Sequence, residues 1–384
     1  MKIGILTQPL HTNYGGLLQN YALQQTLMRA GHEVETVDWD FKEGNDIREM
    51  LYRQKIKIKH ALLPSKYPSL RYRPNTEENS IIRQNTNHFI DTYINHTDTI
   101  RSYNGFFKQA GIGGYNAFVV GSDQCWRPCY NSYLSAMFLD FVQDSTVKRI
   151  AYAASFGTNN WEFTSQQTAL CAPLARKFDM ITVREDSGVD LCREYLGVNA
   201  VHVLDPTMLL TKYDYIRLVE SEKEPKSEGT LFNYILDPDA KKTAFIQRVA
   251  ETRGLVPFQV LPKCQEENRT KDDIKKRIED CVFPSVTAWL RAFMDAEMII
   301  VDSFHGMVFS IVFNKPFWVI GNEGRGMGRF TSLLKMFHLE ERLLDGNSLG
   351  DIDFLNPIDW DSVNAILNEM REKSKTLLQN ELNK

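Results

Sequence analysis

Met298-Ile299-Ile300-Val301-Asp302-Ser303-Phe304-His305 carries a short apolar run straight into a polar turn and then into the very apolar segment 304–313. An apolar run of this length, bounded by a turn, suits a strand covered on both faces, as in a parallel sheet. Ser303 is a natural N-cap, which places His305 in the first turn of a helix. Just upstream, Val286, Trp289, Leu290 and Phe293 share one face of a helix over 285–295. Downstream, 317–320 reads as the next strand. Helix, strand, helix, strand in this order is the pattern of βαβ units.

The same alternation extends outward in both directions. Strands are expected at 230–236 and 256–261, with a helix at 239–252 between them and a last amphipathic helix at about 358–380. Toward the N-terminus, residues 2–6 form a strand. A helix over 16–30 carries Leu17, Leu18, Tyr21 and Met28 on one stripe, Gly31 stops it, and a strand begins at Val34. Further strands are expected at 117–120, 149–154, 179–183 and 200–204, with helices at 162–177 and 185–196. The composition shifts between Asp205-Pro206 and the charged connection 220–228. We therefore expect two α/β domains, 1–210 and 211–384, Rossmann-like and facing a cleft, the second closed by the C-terminal helix. A chain of 384 residues is long enough for two cores.

Composition excludes several functions. The chain is 43% hydrophobic and 24% charged, with net charge −4, so it has no basic excess of the kind nucleic acid requires. Six scattered cysteines suit reduced thiols, and none forms a paired C-x-x-C zinc set. The start Met1-Lys2-Ile3-Gly4-Ile5-Leu6 turns polar at once, which does not fit a signal peptide. The apolar stretch 298–320 is broken by Asp302, His305, Asn314, Lys315 and Pro316, so a soluble, cytoplasmic protein is expected.

Polar clusters recur where the expected strands end: Thr12-Asn13-Tyr14-Gly15-Gly16, Gly121-Ser122-Asp123-Gln124, Ser155-Phe156-Gly157, Arg184-Glu185, Asp302 to His305, and the loop from Gly321 to Arg329. Ligands of open parallel sheets bind at this edge, so six clusters there point to a site. His305 is the strongest acid candidate. A helix N-terminus disfavours its protonated form by about 0.3–1 kcal/mol. A compensating anion is therefore needed, either Asp302 or a bound anionic substrate. The loop from Gly321 to Arg329 offers glycine backbone and two arginines, Arg325 and Arg329, for a phosphate or carboxylate, and equally reads as a surface turn. Neither this loop nor 12–16 has a Walker A or dinucleotide spacing. Asp123 and Arg184 read either as ligands or as local capping and ion-pair groups. The basic stretch 53–73 reads as a solvated face or a contact to an anionic bilayer.

Taken in order from about residue 3 to 340, these clusters resemble the polysaccharide pyruvyl transferase family, together with Leu18-Gln19-x-Tyr21-Ala22-Leu23, Leu204-Asp205-Pro206-Thr207 and Arg329-x-x-x-Leu333-Leu334. The resemblance implies a fold similar to the B-type glycosyltransferases. It also implies transfer of a pyruvyl group from phosphoenolpyruvate to two hydroxyls of a sugar, leaving a ketal and phosphate. The acceptor would be a sugar or lipid-linked oligosaccharide of a surface polysaccharide, met in the cytoplasm or at the inner face of the membrane. His305 matches the family's general acid, and Asp302 is at hand as negative charge. Arg184, Ser303, Arg325 and Arg329 fall on the donor side. Asn13, Tyr14, Gly15, Gly16, Asp123 and Gln124 fall on the acceptor side. No residue cluster calls for a metal, although a divalent ion could accompany the donor phosphate. One departure stands out: members often carry an arginine two residues before the histidine, and here that residue is Ser303. Arg325 or Arg329 would have to replace it, or the donor differs. A nucleotide-sugar glycosyltransferase of the same fold is the alternative. A non-catalytic sugar-binding protein is a third reading, disfavoured by His305 beside Asp302.

Overall fold

The computed structural model describes residues 1–40, 54–55, 59, 74–103, 114–264, 271–321, 324, 326–346, 349, 354 and 356–384. Six strands, β1 (Lys2–Leu6), β2 (Glu33–Thr36), β3 (Ala117–Val120), β4 (Lys148–Ala154), β5 (Met180–Val183) and β6 (Val201–His202), form one sheet in the order β2-β1-β3-β4-β5-β6. A second sheet runs β11-β10-β9-β7-β8, from β7 (Leu231–Tyr234), β8 (Pro257–Phe258), β9 (Met298–Val301), β10 (Phe317–Ile320) and β11 (Leu343–Leu344). All of these pairings are parallel. The central strands β3, β5, β7, β9 and β10 are buried along their whole length, as strands covered by helices on both faces must be.

The helices are α1 (Tyr14–Arg29), α2 (Thr76–Ile82), α3 (Gln84–Tyr93), α4 (Ser165–Ala175), α5 (Asp186–Leu191), α6 (Lys212–Ser221), α7 (Ala240–Arg253), α8 (Lys271–Arg277), α9 (Val286–Asp295), α10 (Phe304–Val312), α11 (Gly328–Met336) and α12 (Trp360–Leu382). Every residue of α10 is buried, which accounts for its apolar character all round. The chain changes sheet between β6 and β7. The strand β11 and the helices α2, α3, α6, α8 and α11 are not among the elements that periodicity predicts.

The C-terminal helix does not stay on the second domain. Arg371 Nε on α12 donates to the Met208 carbonyl at 2.7 Å, and Lys148 Nζ donates to the Glu381 carbonyl at 2.7 Å. The backbone N–H of Leu204 donates to Ser374 Oγ at 3.3 Å. These contacts bind α12 to the first domain. Its buried stripe of Val363, Leu367, Ser374, Leu378 and Leu382 faces inward at helical spacing.

One apolar cluster crosses from sheet to sheet, including Tyr14, Leu204, Phe232, Trp289 and Phe309. Tyr14 anchors it: its hydroxyl donates to the Pro284 carbonyl at 2.9 Å and its ring stacks on Trp289 at 5.7 Å. The two sheets are thus joined by packed apolar side chains as well as by this hydrogen bond.

Candidate active site

Both sheets reverse their winding direction internally. After β1 the chain goes to β2 on one side and β3 on the other; after β7 it goes to β8 on one side and β9 on the other. Loops leaving adjacent strands at such a point diverge and open a crevice at the strands' carboxyl ends. The turns at 12–16 and 121–124 emerge at the first crevice, and 235–237 and 302–305 at the second.

On the first side, Asn13 caps α1: its Oδ1 accepts from the Gly16 N–H at 3.1 Å, and its Nδ2 donates to Asp123 Oδ2 at 3.3 Å. Asp123 follows Gly121, whose φ is +148° and whose hydrogen faces the Tyr152 carbonyl; a Cβ there would lie 1.9 Å from that oxygen. Only glycine fits that approach. Asp123 itself has φ +63°. Gln124 accepts from Arg127 Nη1 at 3.1 Å.

On the second side, Ser303 Oγ accepts from the Gly306 N–H at 3.0 Å, the expected cap of α10. Asp302 does something other than face His305. Its oxygens accept from the backbone N–H groups of Leu236 (2.7 Å) and Asp237 (3.2 Å) and from Lys242 Nζ (2.8 Å). It thus ties the loop after β7 to the loop after β9, and its charge is matched by lysine.

The carboxylate at His305 is Asp205, from the first domain. His305 Nε2 lies 3.6 Å from Asp205 Oδ2, an ion-pair distance longer than a hydrogen bond. The expectation that Asp302 would be the protein's anion for the imidazole is corrected by this geometry. Asp205 also accepts from Thr207 N (2.9 Å), Thr207 Oγ1 (2.6 Å), Ser122 Oγ (3.3 Å) and Arg184 Nη1 (2.9 Å). Burial pushes its pKa up, but His305, Arg184 and Thr207 outweigh burial and hold it far below the usual carboxylate range.

Arg184 is buried behind the cleft wall, its side chain 1% exposed. It joins Asp205 to Asp123, with Nη2 3.4 Å from Asp123 Oδ1, and its guanidinium lies 4.3 Å from the centre of the Phe304 ring. Burial raises the Asp123 pKa, and Arg184, His305 and Arg329 together bring it below the usual value. The other face of this cluster is Arg329, in the first turn of α11, with its guanidinium 5.5 Å from the Phe304 ring centre. Burial and the neighbouring Arg184 lower its pKa to about 10, so it remains cationic at neutral pH.

A cleft of about 320 Å³ opens between the domains, lined among others by Asn13, Gly15, Asp123, Gln124, Ser303, His305 and Arg329. Asp302 also borders it, whereas Tyr14 and Arg184 do not; Gly16 faces a neighbouring cavity. Arg325 lies outside the described residues, as does most of the basic stretch 53–73. The N-termini of α1 and α10 converge on the cleft, since residues of the first turn of each line it. Two helix N-termini and one arginine make a setting for an anion. Among the described residues, no group of three or more His, Cys, Asp or Glu is arranged to hold a metal ion, and no helix is long and apolar enough to cross a membrane.

Sequence reading missed Asp205 as a site residue, although Leu204-Asp205-Pro206-Thr207 ends a strand at the same edge as the other clusters. In the sequence that motif marks a change of domain and contributes to the family resemblance, and neither use gives Asp205 a role. Trp39, Tyr130 and Tyr133, which line the neighbouring cavity, had no local pattern to reveal them.

A family model described as polysaccharide pyruvyl transferase matches residues 13–324. No curated protein matches the sequence. Among solved structures, the UDP-GlcNAc 2-epimerase of Neisseria meningitidis bound to UDP-GlcNAc aligns over 100% of this chain and 99% of its own, at 10% identity and TM-score 0.51. The Methanocaldococcus jannaschii UDP-GlcNAc 2-epimerase, in complex with UDP-GlcNAc and UDP, aligns over 100% and 99%, at 12% identity and TM-score 0.50. At this identity the likeness establishes the fold alone: two Rossmann-like domains in the arrangement of B-type glycosyltransferases.

Proposed function

The chain belongs to the polysaccharide pyruvyl transferase family and is a transferase, and from that membership we propose that phosphoenolpyruvate is its donor and a sugar of a surface-polysaccharide precursor its acceptor. The observation that carries this reading is His305, set between two helix N-termini with Asp205 behind it and Arg329 lining the same cleft. Phosphoenolpyruvate brings a carboxylate and a phosphate, which suit the helix ends and the guanidinium. The N–H of a protonated His305 is the acid for the donor's methylene carbon, and Asp205 stabilises the imidazolium before transfer.

Protonation of that carbon leaves positive charge on the neighbouring enol carbon. The first sugar hydroxyl bonds there; the carbon–phosphate oxygen bond then breaks, and the second hydroxyl completes the ketal. Of the two protons lost by the hydroxyls, one restores His305 and one departs with phosphate. Two carboxylates border the cleft and favour the positive carbon, Asp123, which is paired with Arg184, and Asp302, which is paired with Lys242. Arg184 serves this chemistry by holding Asp205 and Asp123. Arg329 and Ser303 are our donor-side residues, and Asn13, Asp123 and Gln124 our acceptor-side ones. We place the reaction in the cytoplasm, with lipid-linked acceptors met at the membrane's inner face.

The second reading, a nucleotide-sugar glycosyltransferase, is favoured by one observation: Ser303 stands where an arginine for the donor is often found. Thermal shift separates the two. A rise in melting temperature with phosphoenolpyruvate supports pyruvyl transfer; a rise only with nucleotide-sugars replaces it with glycosyl transfer.

A further inference from the structure

Beside the interdomain cleft lies a second cavity of about 460 Å³, whose described lining residues all come from the first domain. The two share His11, Asn13, Asp123, Gln124 and Tyr130, so they are adjoining compartments. Their electrostatics differ. The cleft carries Arg329, His305 and the start of α10. The annex, among the described residues that line it, has no lysine or arginine and has two carboxylates, Asp40 and Asp123.

Three aromatic rings border the annex. Trp39 is fixed by its indole N–H, which donates to the Thr7 carbonyl at 2.7 Å, and Tyr133 is stacked on Tyr103 at 4.8 Å. Tyr130 is 48% exposed. Arg127 lies over its ring at 5.3 Å and is matched by a two-bond contact with Glu162, at 3.0 and 3.1 Å. Held aromatic surfaces beside carboxylates and amides suit a pyranose: its C–H face packs on a ring while its hydroxyls donate to carboxylate oxygens. Asp123 is paired with Arg184 behind the wall, so it is the exposed Asp40 that an acidic sugar would meet there, with no lysine or arginine among the described lining residues to match it.

We propose that the annex is a subsite for an uncharged pyranoside, and that Asp123, shared by both compartments, accepts a hydrogen bond from the hydroxyl presented to the cleft. This rests on reading the cleft as the donor site. The annex then sorts acceptors by charge before chemistry begins, and Asp40 and Tyr133 fix which sugar is admitted.

The test is direct titration of the full chain with neutral p-nitrophenyl hexopyranosides, p-nitrophenyl glucuronide and, separately, phosphoenolpyruvate. At least one neutral glycoside should bind, the glucuronide should bind at least tenfold more weakly, and Tyr133→Ala and Asp40→Asn should each weaken the neutral glycoside about tenfold. Phosphoenolpyruvate affinity should be the same in both variants. Tyr133→Phe should keep glycoside binding. Because Asp40 is exposed, its variant remains informative if Tyr133→Ala does not fold. No neutral glycoside bound up to its solubility limit, or equal binding by the folded variants, overturns the annex. Loss of phosphoenolpyruvate binding alone, with the glycoside results as expected, overturns the donor reading and leaves the annex standing.

Discussion

The imidazole of His305 occupies the space in which a side chain at residue 15 would begin: a Cβ on Gly15 would lie 2.0 Å from His305 Nδ1 and 2.2 Å from Cγ. The first turn of α1 and the first turn of α10 therefore meet only because residue 15 is glycine. Gly15→Ala forces the ring away from Asp205. A displacement of about 1 Å at a reacting group costs roughly 100-fold in rate. We expect kcat to fall by about that factor while the protein stays folded, measured by turnover alongside a melting curve. Full activity would show that the ring can be relocated without loss.

Arg329 is the described cation that faces the cleft, and its neighbours in the cluster, Arg184 included, lie behind it. Arg329→Gln removes the charge and keeps much of the shape. Charge-assisted hydrogen bonds contribute about 1.5–3 kcal/mol, so phosphoenolpyruvate should bind roughly 10- to 100-fold more weakly. Calorimetric titration checks this. Unchanged affinity would assign donor binding to the backbone of the helix ends, or to residues outside those described.

Arg184 tests the fold more than the donor. Its side chain is buried between Asp205 and Asp123, and breaking a buried pair by removing one partner costs about 3–5 kcal/mol. Arg184→Met should therefore lower stability by an amount of that order in urea unfolding, with donor affinity lost through collapse of the network. A variant of unaltered stability would mean the two carboxylates find other partners.

The sequence made the edge of the site legible and left its pairing hidden. Caps and strand ends are local: Ser303 before an apolar helix and Asn13 before α1 announce themselves within a few residues. The partner of His305 does not, because Asp205 is 100 residues away along the chain and reaches it only when two sheets face each other. For the same reason the sequence points to Asp302, three residues from His305, as the anion near the imidazole, where the structure places Asp205. Short strands such as β11 carry too few residues for periodicity to register. The crossing of α12 onto the first domain is likewise decided by contacts at Met208 and Lys148 that no local pattern encodes.

Asp205 should act on His305 as a positioning residue. Asp205→Asn keeps the volume but puts an amide where a carboxylate faced the imidazole, and it leaves Arg184 with less charge to match. Loss of a properly oriented acid costs about 100-fold or more in rate. The expected pattern is a large fall in kcat with donor affinity kept within a fewfold in the folded fraction. A parallel fall in donor affinity and kcat would point to a direct contact with substrate instead.

Acid stability offers a check outside the cleft, at the joint between α1 and α6. Asp214 accepts from Thr211 and from Arg29, and burial, which alone would raise its pKa, is outweighed by these contacts, which bring it down to about 2. A carboxyl depressed in the folded state contributes stability that is present above its unfolded value, about 3.9, and lost as pH falls through the folded value. Asp214→Asn should therefore destabilise the protein at neutral pH and show a smaller further loss than the parent chain between about pH 4 and pH 2. Urea midpoints measured across that range would decide it: curves that run parallel would mean Asp214 is not held by Arg29 and Thr211 in solution.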